Sequence, residues 1–212
     1  AAREQWNRET LQQIPVLAEK AVTVGQDYEK AVDSGAKPNS YQFGAWNTKQ
    51  DIAYSFALTD RETLKQLQAI DAKYESAAPA PREGFWGKAV QGFAGSAPAM
   101  IQSIAVSPTG AGPALLWQQQ GAGSFMRAYL KGKDIDSIPQ EDLQRAAGIA
   151  QVAGVPYAAV ELMVQSIPGV KGFGSEIDRQ IAGILFQKMT PSVMKKISEG
   201  GVAFGIRWIM ET

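Results

Sequence analysis

The chain contains neither cysteine nor histidine. Without thiols there can be no disulfide, thiol nucleophile or thiolate metal site, and the redox compartment is left open. Without imidazole, Ser-His triads and the usual zinc sets are closed as well, leaving carboxylate pairs, Ser/Lys or Tyr for any chemistry. Neither sign of charge is in excess, since 21 Lys and Arg face 21 Asp and Glu. A dedicated DNA-binding domain or a polybasic membrane segment would show a basic surplus. GxGxxG, a Walker lysine and an EF-hand loop are all missing, as is any alternating β-branched run closed by a hairpin turn. The largest local deficit is at residues 89–126, where "AVQGFAGSAPAMIQSIAVSPTGAGPALLWQQQGAGSFM" runs for 38 residues without an Asp, Glu, Lys or Arg, although 20% of the whole chain is charged.

What remains is ample for a core: 212 residues, 45% of them apolar, enough for one or two domains. The opening "AAREQWNRET" has no initiator Met, basic n-region or apolar h-region, and reads as a piece of a longer chain. Charge divides the sequence in two. Residues 1–80 hold 9 basic and 11 acidic residues in amphipathic patterns, and 81–212 hold 12 and 10 around long uncharged runs, with "SAAPAPREG" as the linker.

Every candidate element reads as helix. Trp6, Leu11, Ile14, Leu17, Val24, Tyr28 and Val32 form a stripe, kinked near Pro15 and stopping at Gly35. "SYQFGAWNTKQDIAYSFAL" forms one short helix. "TDRETLKQLQAIDAKYES" is capped by Thr59 or Asp60 and buries Leu64, Leu67 and either Ile70 or Asp71. In the second part the expected helices are 84–106, one opening near Pro113, "IPQEDLQRAAGIAQVAG", "VPYAAVELMVQSIPG" after Gly154 and Pro156, "SEIDRQIAGILFQKM", and "PSVMKKISEGGVAFGIRWIMET". The fold class is all-α, a multi-helix bundle or extended helical assembly of roughly seven to nine helices.

Asp134/Asp136 and Glu141/Asp142 fall in a loop and a helix start, where acidic residues cap and solvate. "SEGG" and "YES" echo a transglycosylase Glu-Ser without its context, so no catalytic residue, metal ligand or cofactor site is assigned. Small residues are the stronger pattern. Ala146, Ala150 and Gly154 recur at intervals of four, and Gly201 with Gly205 makes a GxxxG, rows that let helix backbones approach closely. The uncharged stretch is long enough for two bilayer-spanning arms joined at "SPTGAGP", with Trp86, Lys88, Arg127 and Tyr129 as membrane-interface residues. Its glutamines and glycines make it only mildly apolar. Two readings stay open, a conditionally inserting hairpin and a buried helical pair.

The order of an Ala/Gly-rich stretch, then "AAGIAQVAGVPYAAVELMVQSIPGVKGFG", a helix, and "ISEGGVAFGIRWIMET" resembles the helical regions of giant bacteriophage internal virion, or DNA-ejection, proteins and large polyvalent phage proteins. The likeness covers about residues 85–212. Phe204 and Arg207 stand where that pattern carries acidic residues, and Glu211-Thr212 closes it. The resemblance implies a non-enzymatic structural segment, packaged in the virion interior and later placed in the host envelope. There it would help form an oligomeric conduit for genome delivery. Its implied partners are further copies of itself, portal, core or tail proteins, and the host inner membrane, with no specific nucleic-acid binding and no small-molecule substrate. The alternatives are a soluble helical spacer of a polyvalent protein and a membrane-active, toxin-like hairpin.

Overall fold

In the computed structural model the chain is described over residues 23–79, 111–165 and 176–211, and all regular structure among these residues is helical. α1 is described over residues 23–33. It stops where the sequence supplies Gly35, at φ 73°, with the Ala36 N–H donating to Ala31 O at 2.8 Å and the Gly35 N–H to Val32 O at 3.0 Å. A left-handed glycine after the last turn closes helices in this way. α2 spans Ser40–Ala57 and α3 Arg61–Tyr74. Asp60 caps α3, accepting from the Thr63 hydroxyl at 2.7 Å and its N–H at 3.4 Å. These bonds hold the Asp60 carboxyl below its ordinary range. α4 is Ala111–Leu130, α5 Gln140–Gln165, α6 Glu176–Lys188 and α7 Pro191–Glu211.

Contacts group the described residues into two compact units, one within residues 23–49, 74–79 and 111–116 and the other within residues 50–73, 117–165 and 176–211. The compositional boundary at residue 80 is thus not the one that packing draws. The reason is that α3 lies N-terminal to that linker yet carries Leu64 and Leu67 to the same core as α4 and α5.

The first unit centres on aromatics. Tyr28 and Trp46 are fully buried with ring centroids 5.3 Å apart, Phe43 lies 5.5 Å from Tyr28, and Tyr74 is 6.2 Å from Trp46. The Tyr28 hydroxyl donates to the Tyr74 carbonyl at 3.0 Å. Glu29 accepts from Trp46 Nε1 at 3.2 Å and from Lys49 Nζ at 2.7 Å.

The second unit is built round α4. Residues 121–130 are all buried, which means that both faces of this half of the helix are covered. A helix covered on every side must be uncharged except where a charge is paired. That accounts for the C-terminal part of the uncharged stretch. Its residues 89–110 lie outside the described residues, and so do the expected helix 84–106, residues 107–110 of the "SPTGAGP" joint, and Trp6, Leu11, Ile14 and Leu17, whereas residues 111–113 of that joint form the first turn of α4.

Two expectations about helix boundaries change. The helices proposed on either side of Pro156 are one continuous α5 with Pro156 inside it. An internal proline loses a hydrogen bond and crowds the preceding turn, but this ring is buried in the space that Gly205 of α7 leaves open. Conversely, the expected single last helix is interrupted, since Gly201 sits at φ 72° and ψ −174° within α7.

Candidate functional site

The C-terminal half of α4 carries one charge, Arg127, and it is 6% exposed. Its Nε donates to Asp71 Oδ2 of α3 at 2.9 Å, and its Nη1 lies 3.5 Å from Asp51 Oδ1 of α2. The Tyr54 hydroxyl donates to the same Asp71 Oδ2 at 3.0 Å. Asp51 is 2% and Asp71 8% exposed. Three helices thus meet on one buried guanidinium. Arginine suits such a position because its fixed fork stays charged and can serve two carboxylates at once. Beside it, Gly123 lets the backbones of α4 and α2 touch, for a Cβ there would coincide with the Asp51 carbonyl. The approach of backbone and the ion pairs set one another's geometry.

At the end of α4 the chain is fastened by α3. Gln68 Nε2 donates to Leu130 O at 3.0 Å and Lys133 O at 2.9 Å. Arg61 donates to Ile135 O at 2.5 Å, Ile138 O at 2.6 Å and Gln140 Oε1 at 3.1 Å. Of these acceptors Leu130 O is a carbonyl of the helix end, of the kind that is left without an intrahelical partner, and the others fasten the turn that joins α4 to α5. Asp134 caps the short turn Ile135–Ser137, and Asp136 pairs with Lys65 at 2.6 Å. Glu141 and Asp142 occupy the first turn of α5. The carboxylate pairs therefore stand at caps and a surface ion pair, as their positions in the sequence lead one to expect.

A second polar-aromatic corner lies near Phe186 of α6. Its ring centroid is 4.7 Å from that of Tyr129, with Lys133 Nζ 3.3 Å over Tyr129 and the Arg145 guanidinium 4.7 Å from the Phe186 centroid. Desolvation holds the Lys133 ammonium below its ordinary range, Asp142 opposing and Arg179 adding to the shift. Burial, followed by the charge of Asp142, raises the Tyr129 phenol.

In the small-residue row on α5, Gly154 faces α4. Ala146 and Ala150 are fully buried, and a Cβ on Gly154 would stand 2.6 Å from Gln118 O and 3.0 Å from Ala122 N. Gln118 Nε2 also donates to Gln151 O at 2.8 Å, and Phe125 meets Tyr157 edge-on at 5.7 Å. Gly205 lies against Pro156, where a Cβ would come within 2.5 Å of the ring. Gly201 is the exception to the expected row: it is exposed, a Cβ there would meet nothing within 4 Å, and its role is conformational because its φ is positive.

The membrane-interface set needs a larger correction. Arg127 and Tyr129, expected to flank a lipid-inserted arm, are both buried in the second unit, Arg127 in its ion pairs and Tyr129 between Phe125 and Phe186. Trp86 and Lys88 lie outside the described residues. Among the described residues no helix is long and apolar enough to cross a membrane, and no group of three or more acidic side chains could hold a metal ion.

In the sequence nothing marks Asp51, Tyr54 is one of five aromatics in its helix, and Asp71 stands only as an alternative to Ile70. The usable signal is a carboxylate on the apolar stripe of α3 at Leu64, Leu67 and Asp71, which asks for a buried cation elsewhere. The one arginine in a long uncharged neighbourhood is the natural counterpart. Comparison with known protein families, curated proteins and solved structures returns no match for this chain.

Proposed function

We propose that this chain is a structural, assembly-forming segment of a bacteriophage internal virion protein, contributing helices to an oligomeric conduit for genome delivery. The observation that carries the structural part is the use made of the buried polar groups. Arg127, Asp51, Asp71 and Tyr54 are engaged with one another across three helices, in a position that holds a framework together. Gly123, Gly154 and Gly205 likewise stand where backbones or rings come into contact. The attribution to phage rests on the likeness of residues 85–212 to ejection proteins. Virion components, including further copies of this chain, are its proposed partners, and the virion interior and then the host envelope its proposed locations.

A helical spacer within a large polyvalent phage protein would draw on the same self-contained core. Sedimentation velocity and thermal melts across a concentration series separate the two. The assembly reading expects a species that grows with concentration and a Tm that rises with it, because association stabilises the folded state by mass action. A monomer whose Tm does not move between roughly 1 and 100 μM, a range over which an associating protein gains by mass action, would favour the spacer and reject the assembly.

A further inference from the structure

We propose that the Gly200–Gly201 joint of α7 is a hinge through which residues 202–211 are exchanged between two copies of this chain, each copy's segment seating on the Pro156 face of the other's α5. The proposal rests on the assembly reading and specifies how the copies join.

Gly201 occupies φ 72° and ψ −174°, a region open in practice only to glycine. The bend makes a contact that a straight helix cannot make. A Cβ on Gly205 would stand 3.2 Å from Ile197 Cγ2, though residues eight apart in an α-helix are separated by about 12 Å along the axis. Folding back also presses Gly205 on Pro156 and brings Phe204, Ile206, Trp208 and Ile209 to the core of the second unit. If Gly201 turned helical, Pro191–Glu211 would become one straight rod. Those apolar side chains would leave the core, and the Pro156 face that receives them would lie open. The occupant that fits this face is known from the fold itself: it is residues 202–211. Supplied by a second copy, the same segment restores every contact, and reciprocal exchange closes a two-fold dimer.

The absence of cysteine provides a direct assay. In a Pro156→Cys/Gly205→Cys chain, the two positions are close enough for a disulfide after a shift of a few tenths of an ångström, since a Gly205 Cβ would lie 3.0 Å from Pro156 Cβ. Oxidation then gives an intramolecular link in the closed form and an intermolecular link in the exchanged form, separated by non-reducing electrophoresis. Adding Gly201→Ala strains the bend and favours the straight helix, so the ratio of intermolecular to intramolecular link should rise roughly a hundredfold at equal concentration.

The chain with native Gly201, carrying only the two cysteines, supplies the second measurement. Refolded from denaturant at increasing concentration, it should give a growing share of dimer linked 156 to 205, and this result stands even if the alanine variant fails to fold. Links that stay intramolecular at every concentration overturn the exchange. Oligomers that form without an intermolecular 156–205 link overturn the exchange but leave the assembly reading standing. A chain that is monomeric throughout overturns both.

Discussion

Arg127 illustrates how much one residue can decide. Removing a single partner from a buried ion pair leaves an uncompensated charge, so Arg127→Ala should lower unfolding free energy by about 3–5 kcal/mol in urea titrations. Tyr54→Phe deletes one bond to the cluster and should cost only about 1 kcal/mol. Equal losses from both would show that packing, not charge, dominates the site. Tyr28 yields a pH prediction for the first unit. Its phenol is pushed up to about 12, by burial first and then by Glu75, from an unfolded value of 10.0. The folded state therefore keeps a proton that the unfolded state loses, and the contribution is whole below pH 10 and disappears as pH rises toward 12. Stability should fall in that window by on the order of 2 kcal/mol. Tyr28→Phe should flatten this part of the pH profile; an unchanged slope would assign it to other groups. The site was only partly legible in sequence because a buried charge is recognised by its partner. Asp51, Asp71 and Arg127 are far apart along the chain, and only packing joins them.

Elements show the same division between local and non-local causes. Gly35 as a stop, a cap at Thr59 or Asp60 and the start of α5 after Pro139 are all readable, because each acts within one turn of the chain, and the bonds to Thr63 choose Asp60. The continuity of α5 through Pro156 was not, since it depends on the room made by Gly205 in another helix. Nor does composition distinguish the glycines of one helix. Gly154 meets the Gln118 carbonyl, whereas nothing lies within 4 Å of a Cβ on Gly148, and both are in α5. Gly154→Ala must push backbones apart and should destabilise by about 1–3 kcal/mol. Gly148→Ala has open space and gains helix propensity, and should stabilise by about 0.5–1 kcal/mol. Opposite signs in paired thermal melts are the expected outcome, and the same sign for both would mean that close approach of α4 and α5 is not what Gly154 provides.

At the scale of the whole chain, charge neutrality and the burial of α4 bear on two possible surroundings, DNA and lipid. With 21 charges of each sign, duplex DNA should be held weakly, with a dissociation constant on the order of 10⁻⁵ M or poorer at physiological salt. Fluorescence anisotropy showing salt-sensitive nanomolar binding would contradict this. Lipid raises a different requirement. For α4 to enter a bilayer, residues 121–130 must leave the core and Arg127 must part from Asp51 and Asp71. Insertion of this helix is thus coupled to opening of the second unit, and its extent should follow the population of the open form. Arg127→Ala, destabilised by loss of the buried ion pairs with Asp51 and Asp71, should increase vesicle association of α4 by about a hundredfold or more at low occupancy. Gly148→Ala should decrease it by a few-fold through its gain in helix stability. Hydrogen exchange on vesicle-bound protein reads the coupling directly, because amides of α3 and α5 that pack with α4 should lose protection together with insertion. Wild-type protein that inserts α4 while those amides stay protected, or variants whose association does not follow their stability, would show that the helix reaches lipid without opening the unit.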